Sequence, residues 1–216
     1  MRPTSDSLDV LTSDERQRAT RFPSSLHSNR WIAARSALRI ILSRYTRCAP
    51  SEISFRWDDL GKPSLATESE SPVHFSVAHS NDRGVVAVAS RPVGVDLECR
   101  RTVDAVESIS SQFFSSTEHR VLMRTPRARR DDMFLRLWTR KEAVLKARGD
   151  GLAGLQSIDV TGDIVLELSR STGRRLPGTG WHLREFQQDG TLAALAIAAS
   201  AKESVHVRQI VTAACP

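Results

Sequence analysis

The sequence predicts an α+β fold in which two similar halves meet at a cleft. Long helices with an apolar stripe and short strands of alternating polarity follow one another along the chain. The same order of elements recurs after about a hundred residues. With 216 residues, of which 40% are hydrophobic and 26% charged, the chain has an ordinary globular composition and enough length to bury a core.

Charge and cysteine content narrow the class of protein. The formal net charge of +6 indicates an anionic partner, such as a phosphate-rich ligand, a nucleic acid or an acidic protein. The three cysteines, Cys48, Cys99 and Cys215, are widely spaced and include no Cys-x-x-Cys pair, which argues against a disulfide framework and a zinc site. Because no apolar signal core or membrane-length run occurs, we expect a cytoplasmic protein without a membrane partner.

The first elements are expected to be a short strand and two helices. Residues 8–11 are a short strand candidate. Thr12 and Glu15 have the spacing of a capping box, which predicts a helix that ends before Pro23. Apolar residues at three- and four-residue intervals predict a longer helix over residues 28–47.

Strands and turns complete the first half. Alternating polarity predicts strands over residues 53–57, 73–78 and 85–89. Lys62 lies in a Gly-Lys-Pro turn, and His79 and Ser80 follow the second of these strands, where they could hydrogen-bond a phosphate. A surface position for His79 is the alternative.

Residues 93–98 are the stretch with the clearest chemical pattern. Their alternation predicts a strand in which Asp96 and Glu98 point to one face, with Gly94 leaving open space beside them. Two like charges at this spacing repel each other unless a cation lies between them. The strand therefore carries either an ordinary solvated face or half of a site for a hard cation.

The second half repeats the first. A Ser-Ser-Thr-Glu segment that ends at Glu118 matches the first capping box, and a second long amphipathic helix is expected over residues 133–148. A strand at 158–160 and a hairpin of residues 181–190 and 192–200 follow. Corresponding positions lie 103 residues apart early in the repeat and then 105 and 110 apart. This slow growth in matched order favours a duplicated unit, with chance hydrophobic similarity as the alternative. We therefore predict an N-terminal half of residues 1–92 and a C-terminal half of residues 93–216.

Glu142 and Lys146 on the second long helix extend the acidic pattern. Their spacing is that of a common helical ion pair, which is one interpretation. In the other, Glu142 joins Asp96 and Glu98 in a site of carboxylate oxygens without Cys or His, which favours Mg²⁺ and a polyanionic ligand. A basic loop over residues 124–130 is either a solvated connection or a docking patch for an acidic protein.

Three motifs in order resemble those of the Sfp-type 4′-phosphopantetheinyl transferases. They are FSVAHS at 75–80, VGVDLE at 93–98 and WTRKEAVLK at 138–146. The Gly-Lys-Pro turn and the segment before Glu118 also fit the family. The resemblance spans nearly the whole chain and implies a pseudo-dimer of two α+β halves, with the active site between them.

The resemblance also implies a reaction. Members transfer 4′-phosphopantetheine from coenzyme A to a serine of an acidic acyl or peptidyl carrier protein and release adenosine 3′,5′-bisphosphate. The metal would be Mg²⁺, with Mn²⁺ as the alternative. Because both halves belong to one chain, we expect a monomer, and we expect no nucleic-acid partner.

By the same resemblance, Asp96, Glu98 and Glu142 would hold the metal against the pyrophosphate of coenzyme A. The predicted catalytic residues are Glu142, Lys146 and Glu118, and the base that deprotonates the carrier serine is Glu142, Glu118 or a metal-bound water. The predicted coenzyme A contacts are Arg18, Arg30, Lys62, His79, Ser80 and Lys146. The family usually has a longer N-terminal strand than residues 8–11 and often a basic residue where this chain has Glu15.

Two other functions compete with this one. The net charge and arginine clusters fit a nucleic-acid-binding protein, but aromatic residues make up only 6% of the chain and it contains no known nucleic-acid-binding motif. A homologue that binds coenzyme A or a carrier without catalysis would be expected to have a damaged carboxylate set. The three carboxylates are all present.

Overall fold

The computed structural model describes residues 5–66, 72–81, 83–163, 165–167, 181–188, 190–198 and 211–212. The helices are α1 (Ser5–Asp9), α2 (Ser13–Ala19), α3 (Ser25–Thr46), α4 (Val106–Phe113), α5 (Ser116–Arg124) and α6 (Arg130–Arg148). The strands are β1 (Phe55–Trp57), β2 (Pro63–Leu65), β3 (His74–Ser80), β4 (Arg83–Ala89), β5 (Val93–Cys99), β6 (Ile158–Asp159), β7 (Leu166–Glu167), β8 (Trp181–Gln188), β9 (Thr191–Ala198) and β10 (Val211–Thr212). Mixed helix and strand content confirms the α+β class.

The start of the chain differs from the prediction. The strand expected over residues 8–11 is wrong, because α1 ends at Asp9 and a turn joins Leu11 N–H to Leu8 C=O. Leu11 is buried against Ala19 and Ile32. A run of four residues with three apolar side chains is compatible with either structure, and here packing against α3 decides for the helix and turn.

Both predicted capping boxes are present. Thr12 accepts from Glu15 N–H while Glu15 accepts from Thr12 N–H, and Ser115 and Glu118 do the same at the start of α5. Each helix is followed by a long one, α3 after α2 and α6 after α5, in the order that the repeat predicted. Residues 189, 199 and 200 of the predicted second hairpin, and Cys215, lie outside the described residues, whereas Cys48 and Cys99 are free thiols.

Of two three-stranded sheets, one lies within the second half of the chain and the other combines two strands of the first half with one of the second. In one sheet β4 lies between β3 and β10, and in the other β9 lies between β5 and β8, with all pairings antiparallel. The strand that follows β4 therefore joins the second hairpin, and the strand that comes after β9 joins the first. β5 thus ties the beginning of the second half to the hairpin of the same half, and β10 crosses to the first half.

Serine hydroxyls join the two sheets where β3 lies beside β5. Ser76 Oγ accepts a hydrogen bond of 3.1 Å from Val95 N–H, and Ser80 Oγ accepts one of 3.1 Å from Cys99 N–H. Both bonds span 19 residues, so β3 and β5 run in step. The free edge of β5 is thus partly satisfied by side chains of the neighbouring sheet.

Helix α6 covers the sheet that contains β5. Its buried residues, among them Phe134, Leu137 and Val144, form the largest hydrophobic cluster together with residues of α4, α5 and β8. Because α6 covers one face of β5 and a second cluster covers the other, residues 93–97 are all buried. None of the helices that the structure describes is both long and apolar enough to cross a bilayer.

Candidate active site

Asp96 and Glu98 lie on β5, facing α6 rather than solvent. Asp96 is 7% exposed and Glu98 is half-buried, which excludes the solvated strand face. The predicted open space beside Gly94 is wrong as well, since α6 fills it: a Cβ at this position would lie 2.0 Å from Ala143 O. Only a glycine allows the helix to lie this close to the strand.

Lys146 forms the central ion pair of the site. Its Nζ donates to Asp96 Oδ1 at 2.7 Å, with the side chain of Lys146 one-third exposed. Glu142 lies one helical turn earlier on α6 and is half-buried. The strand and the helix thereby bring together the three predicted metal ligands and the lysine.

The three carboxyl groups all have pKa values above their ordinary ones. Burial raises the pKa of Asp96, against the opposing charge of Lys146. Burial also raises the pKa values of Glu98 and Glu142, and the charge of Asp96 raises both further. The three side chains therefore form a region of concentrated negative charge that Lys146 only partly offsets.

The chemistry of this donor set fits a hard divalent cation. All three side chains offer carboxylate oxygens, and a cation would relieve the repulsion that raises the pKa values of Glu98 and Glu142. In the described part of the chain, no three His, Cys, Asp or Glu side chains are gathered closely enough to form a ready metal site. Asp96 is paired with the ammonium group of Lys146.

Ser80 and His79 lie at the edge of the same site. Ser80 Oγ donates to Glu98 Oε2 at 3.5 Å while it accepts from Cys99 N–H. His79 is exposed at the end of β3, and its charge acts to lower the pKa of Asp96. The first half of the chain therefore contributes two polar side chains next to the carboxylates.

Lys62 links the β1–β2 turn to the end of α6. Its Nζ donates to Ala147 C=O at 2.8 Å, next to Lys146 in the sequence. Burial lowers the pKa of Lys62, and the charges of Asp58 and Asp150 oppose this change. Lys62, a cation of the first half, is thus bound to the backbone of α6 at the residue that follows Lys146.

Comparison with known proteins identifies the family. A sequence profile of the 4′-phosphopantetheinyl transferase superfamily matches residues 92–200. The chain is 36% identical to the 4′-phosphopantetheinyl transferase HetI of Nostoc sp. over 193 residues, which cover 88% of this chain and 79% of HetI. This chain belongs to the 4′-phosphopantetheinyl transferase superfamily. The resemblance found in the sequence is confirmed, as is the prediction of a transferase.

Two further relatives align over a shorter region. Sfp of Bacillus subtilis is 28% identical over 146 residues, which cover 68% of this chain and 63% of Sfp. AcpT of Salmonella typhi is 30% identical over 149 residues, which cover 68% of this chain and 73% of AcpT. Both are named 4′-phosphopantetheinyl transferases.

Glu118, the other acidic residue predicted for catalysis in this family member, is enclosed in the protein. Its side chain is 0% exposed. Oε2 accepts from Lys141 Nζ at 2.6 Å and from Ser115 N–H at 2.7 Å, and Oε1 accepts from Val160 N–H at 2.9 Å. The structure therefore places Glu118 in a buried ion pair and does not bring it into the group formed by the other carboxylates.

Glu15 occupies the corresponding position in the first half. It accepts from Arg39 Nε at 2.7 Å, and Arg39 also donates to Ile53 C=O at 2.8 Å. In the second half, Lys141 pairs with Glu118 and donates to Ile158 C=O at 2.8 Å. The acidic residue that differs from the family pattern is thus part of a buried ion pair that repeats in both halves.

Arg18 and Arg30 lie on the helices of the first half. The guanidinium of Arg18 is 5.7 Å from the centre of the Trp31 ring, and Arg30 is half-buried in α3, one residue before Trp31. Their predicted contacts with coenzyme A stay predictions.

Sequence reasoning missed Ser76, whose hydroxyl fixes β5 at Val95, because a contact between distant segments leaves no local periodic signal.

Proposed function

We propose that this chain transfers the 4′-phosphopantetheine group of coenzyme A to a serine of an acyl or peptidyl carrier protein. The reaction depends on Mg²⁺, or on Mn²⁺ as the alternative, and releases adenosine 3′,5′-bisphosphate. The observation that carries this proposal is the group of Asp96, Lys146 and the neighbouring carboxylates between β5 and α6. Family membership supports coenzyme A as the donor and a carrier protein as the acceptor.

Asp96, Glu98 and Glu142 would hold the metal. Bound there, a divalent cation would neutralise charge on the pyrophosphate of coenzyme A. Transfer of a phosphoryl group needs positioning and charge stabilisation more than a protein nucleophile, so a site of three carboxylates and cationic side chains is sufficient.

The remaining side chains bind and orient the donor. Lys146 lies in the same site, paired with Asp96. During transfer its ammonium group turns from Asp96 to the departing adenosine bisphosphate, where it stabilises the developing negative charge. Lys62, His79 and Ser80 come from the first half and bind the phosphates at the nucleotide end, with Arg18 and Arg30 further along the same half. The two halves thus act on different parts of one donor.

The transfer exchanges one P–O bond for another. The serine oxygen of the carrier attacks the phosphorus that bears the pantetheine arm, and the bond from that phosphorus to the bridging oxygen of the leaving nucleotide breaks. The serine proton passes to Glu142, which is half-buried beside the site. The burial of Glu118 and its three hydrogen bonds favour Glu142 over Glu118 as the base.

The same proposal covers the arrangement of the chain. Residues 1–92 and 93–216 form the two halves of a pseudo-dimer, with the active site where β3 lies beside β5. The repeated capping boxes, the repeated ion pairs of Glu15 and Glu118, and the antiparallel hairpin in each half support it. Because one chain supplies both halves, a monomer is sufficient for activity.

The test is a transfer assay with defined carriers. The protein is mixed with coenzyme A, Mg²⁺ and apo carrier proteins of fatty-acid and peptide-synthetase type, and the mass of each carrier is measured by mass spectrometry. We expect the phosphopantetheine mass on the carrier serine, and its loss with EDTA or with Asp96→Ala. If the wild-type protein modifies none of the carriers, the proposed function is wrong.

A further inference from the structure

The turn between β1 and β2 is built around the side chain of Asp58. Its Oδ1 accepts from Leu60 N–H at 3.0 Å and from Lys62 N–H at 2.8 Å. Backbone bonds close the same turn, from Asp58 N–H to Lys62 C=O at 3.1 Å and from Gly61 N–H to Asp58 C=O at 2.9 Å. Gly61 has the left-handed conformation, with a φ of 82°, that this tight reversal requires. One carboxylate oxygen therefore organises the backbone on both sides of Gly61.

The turn directs the side chain of Lys62 across to the second half of the chain. Lys62 Nζ donates to Ala147 C=O near the end of α6 at 2.8 Å, and Lys62 is half-buried although residues 58–61 are exposed. A Cβ added at Gly149 would lie 3.6 Å from Asp58 Oδ2 and 3.7 Å from Lys62 Cδ, so both side chains lie against the same glycine. The shape of the turn thus determines where the ammonium group of Lys62 meets α6.

Two acidic residues lie near Lys62, and they differ in their other contacts. Asp150 pairs with Arg148 at 2.6 Å, whereas Asp58 accepts from the backbone of its own turn. Within the described part of the chain, no ion pair joins either carboxylate directly to the ammonium group of Lys62. Asp58 therefore acts on the backbone of Lys62 at hydrogen-bonding distance, while its charge reaches the ammonium group only through space.

We propose that Asp58 is a positioning residue for coenzyme A binding, which acts by holding the turn that presents Lys62. This inference rests on the proposed function, because it adds a residue to the donor site in which Lys62 binds a phosphate of the nucleotide. An unsupported turn would sample many conformations, and ordering it would reduce the binding free energy of the donor. The bonds to Asp58 Oδ1 order the turn before the donor binds.

The test compares substitutions at Asp58 that separate its hydrogen bonds from its charge. Asp58→Asn keeps an oxygen acceptor and removes the charge, whereas Asp58→Glu keeps the charge and displaces the acceptor by one methylene group. Isothermal titration calorimetry with coenzyme A and Mg²⁺, without a carrier protein, measures Kd. We expect a Kd within about twofold of wild type for Asp58→Asn, and a Kd raised about fivefold for Asp58→Glu and Asp58→Ala.

Asp59 provides a matched control in the same turn. It is exposed, and among the residues that the structure describes none donates a hydrogen bond to it. Asp59→Ala makes the same change of charge one residue away and should bind coenzyme A like wild type. A double-mutant cycle then shows whether Asp58 acts through Lys62, because in the Lys62→Met protein the further change Asp58→Ala should raise Kd no more.

Transfer kinetics provide a second measurement and separate the two proposals. Asp58→Ala should raise KM for coenzyme A while kcat and KM for the carrier stay at their wild-type values. A wild-type protein that modifies no carrier refutes the proposed function. If wild type binds coenzyme A and Asp58→Ala binds it equally well, the role of Asp58 is wrong.

Two other results would also overturn this role. One is an Asp58→Asn protein that binds coenzyme A as weakly as Asp58→Ala, and the other is a full loss of affinity for Asp58→Ala in the Lys62→Met background. If Asp58→Ala does not melt cooperatively, Asp58→Glu takes its place in both comparisons, with the same rise in Kd as the expected result.

Discussion

Gly94 of β5 lies so close to Ala143 of α6 that a Cβ on the glycine would approach the carbonyl oxygen of Ala143 to 2.0 Å. The same added atom would lie 2.3 Å from Ala147 N, so the obstacle is the backbone of the helix on two successive turns. This approach holds Asp96 and Glu98 on the strand next to Glu142 and Lys146 on the helix. The absence of a side chain at Gly94 therefore determines how the three carboxylates and Lys146 are arranged.

The variant Gly94→Ala is expected to push α6 away from β5. Because backbone atoms cannot rotate out of the way, the cost should be about 3 kcal/mol of unfolding free energy, the upper end for an overpacked core. Transfer activity should fall further than the fraction of folded protein does, because Lys146 Nζ moves out of hydrogen-bonding distance of Asp96 Oδ1. Thermal melts and transfer rates measure both, with Ser90→Ala as an exposed control just before β5. A Gly94→Ala protein with wild-type stability would contradict the contact.

Lys146 is expected to act as the counter-charge of Asp96 when no metal is bound. In EDTA, Lys146→Met should lower the unfolding free energy by about 1–2 kcal/mol, a reduced value because Lys146 is one-third exposed. Mg²⁺ should stabilise this variant more than it stabilises wild type, since no ammonium group competes for Asp96. Thermal melts with and without Mg²⁺ measure the difference, and in Asp96→Asn/Lys146→Met the extra stabilisation should disappear.

The roles of Glu142 and Glu118 can be separated by two matched substitutions. Glu142→Gln should abolish transfer while leaving the melting temperature close to that of wild type. Glu118→Gln should cost about 3–5 kcal/mol of stability, because it leaves the buried ammonium of Lys141 without its partner. The protein that remains folded should keep its kcat. If folded Glu118→Gln protein loses kcat as completely as Glu142→Gln, Glu118 is needed for transfer and the preference for Glu142 over Glu118 is wrong.

Local patterns in the sequence were sufficient to predict most helices and strands and to indicate which residues form the acidic site. The alternation at 93–98 placed Asp96 and Glu98 on one face, and the capping spacings at Thr12 and at Ser115 predicted where α2 and α5 begin. These are properties of neighbouring residues. The repeat extended them to the order of elements in both halves.

Contacts between distant segments could not be predicted in this way. The strand expected at residues 8–11 is part of a helix and a turn because α3 packs against it, and the space expected beside Gly94 is filled by α6. Likewise, no local pattern distinguishes the enclosed Glu118 from the half-buried Glu142. In each case tertiary packing decides, and a single sequence does not record it.

The ion pair of Glu15 should make stability depend on pH. Burial alone would raise the pKa of Glu15, but hydrogen bonds from Arg39, Thr12 N–H and Arg35 outweigh it and hold the pKa below its ordinary value of 4.5. The stabilisation is therefore complete above pH 4.5 and is lost as pH falls through the lower pKa of the folded protein. Glu15→Gln should cost about 3 kcal/mol at pH 7 and nothing at a pH where Glu15 is protonated in both states. Denaturant titrations at the two pH values test this, and an equal cost at both would contradict it.

The hydroxyl of Ser76 should contribute more to stability than that of Ser80. Ser76 accepts from Val95 N–H in a buried position, so Ser76→Ala leaves an amide without an acceptor and should cost about 1–3 kcal/mol. Ser80→Ala removes a bond to Cys99 N–H that is only partly buried, where water can replace the hydroxyl. We expect the opposite order in activity, because Ser80 also contacts Glu98 whereas Ser76 touches none of the carboxylates through its described bonds. Melting curves and transfer rates of the two variants, measured side by side, show whether stability and activity separate along this seam.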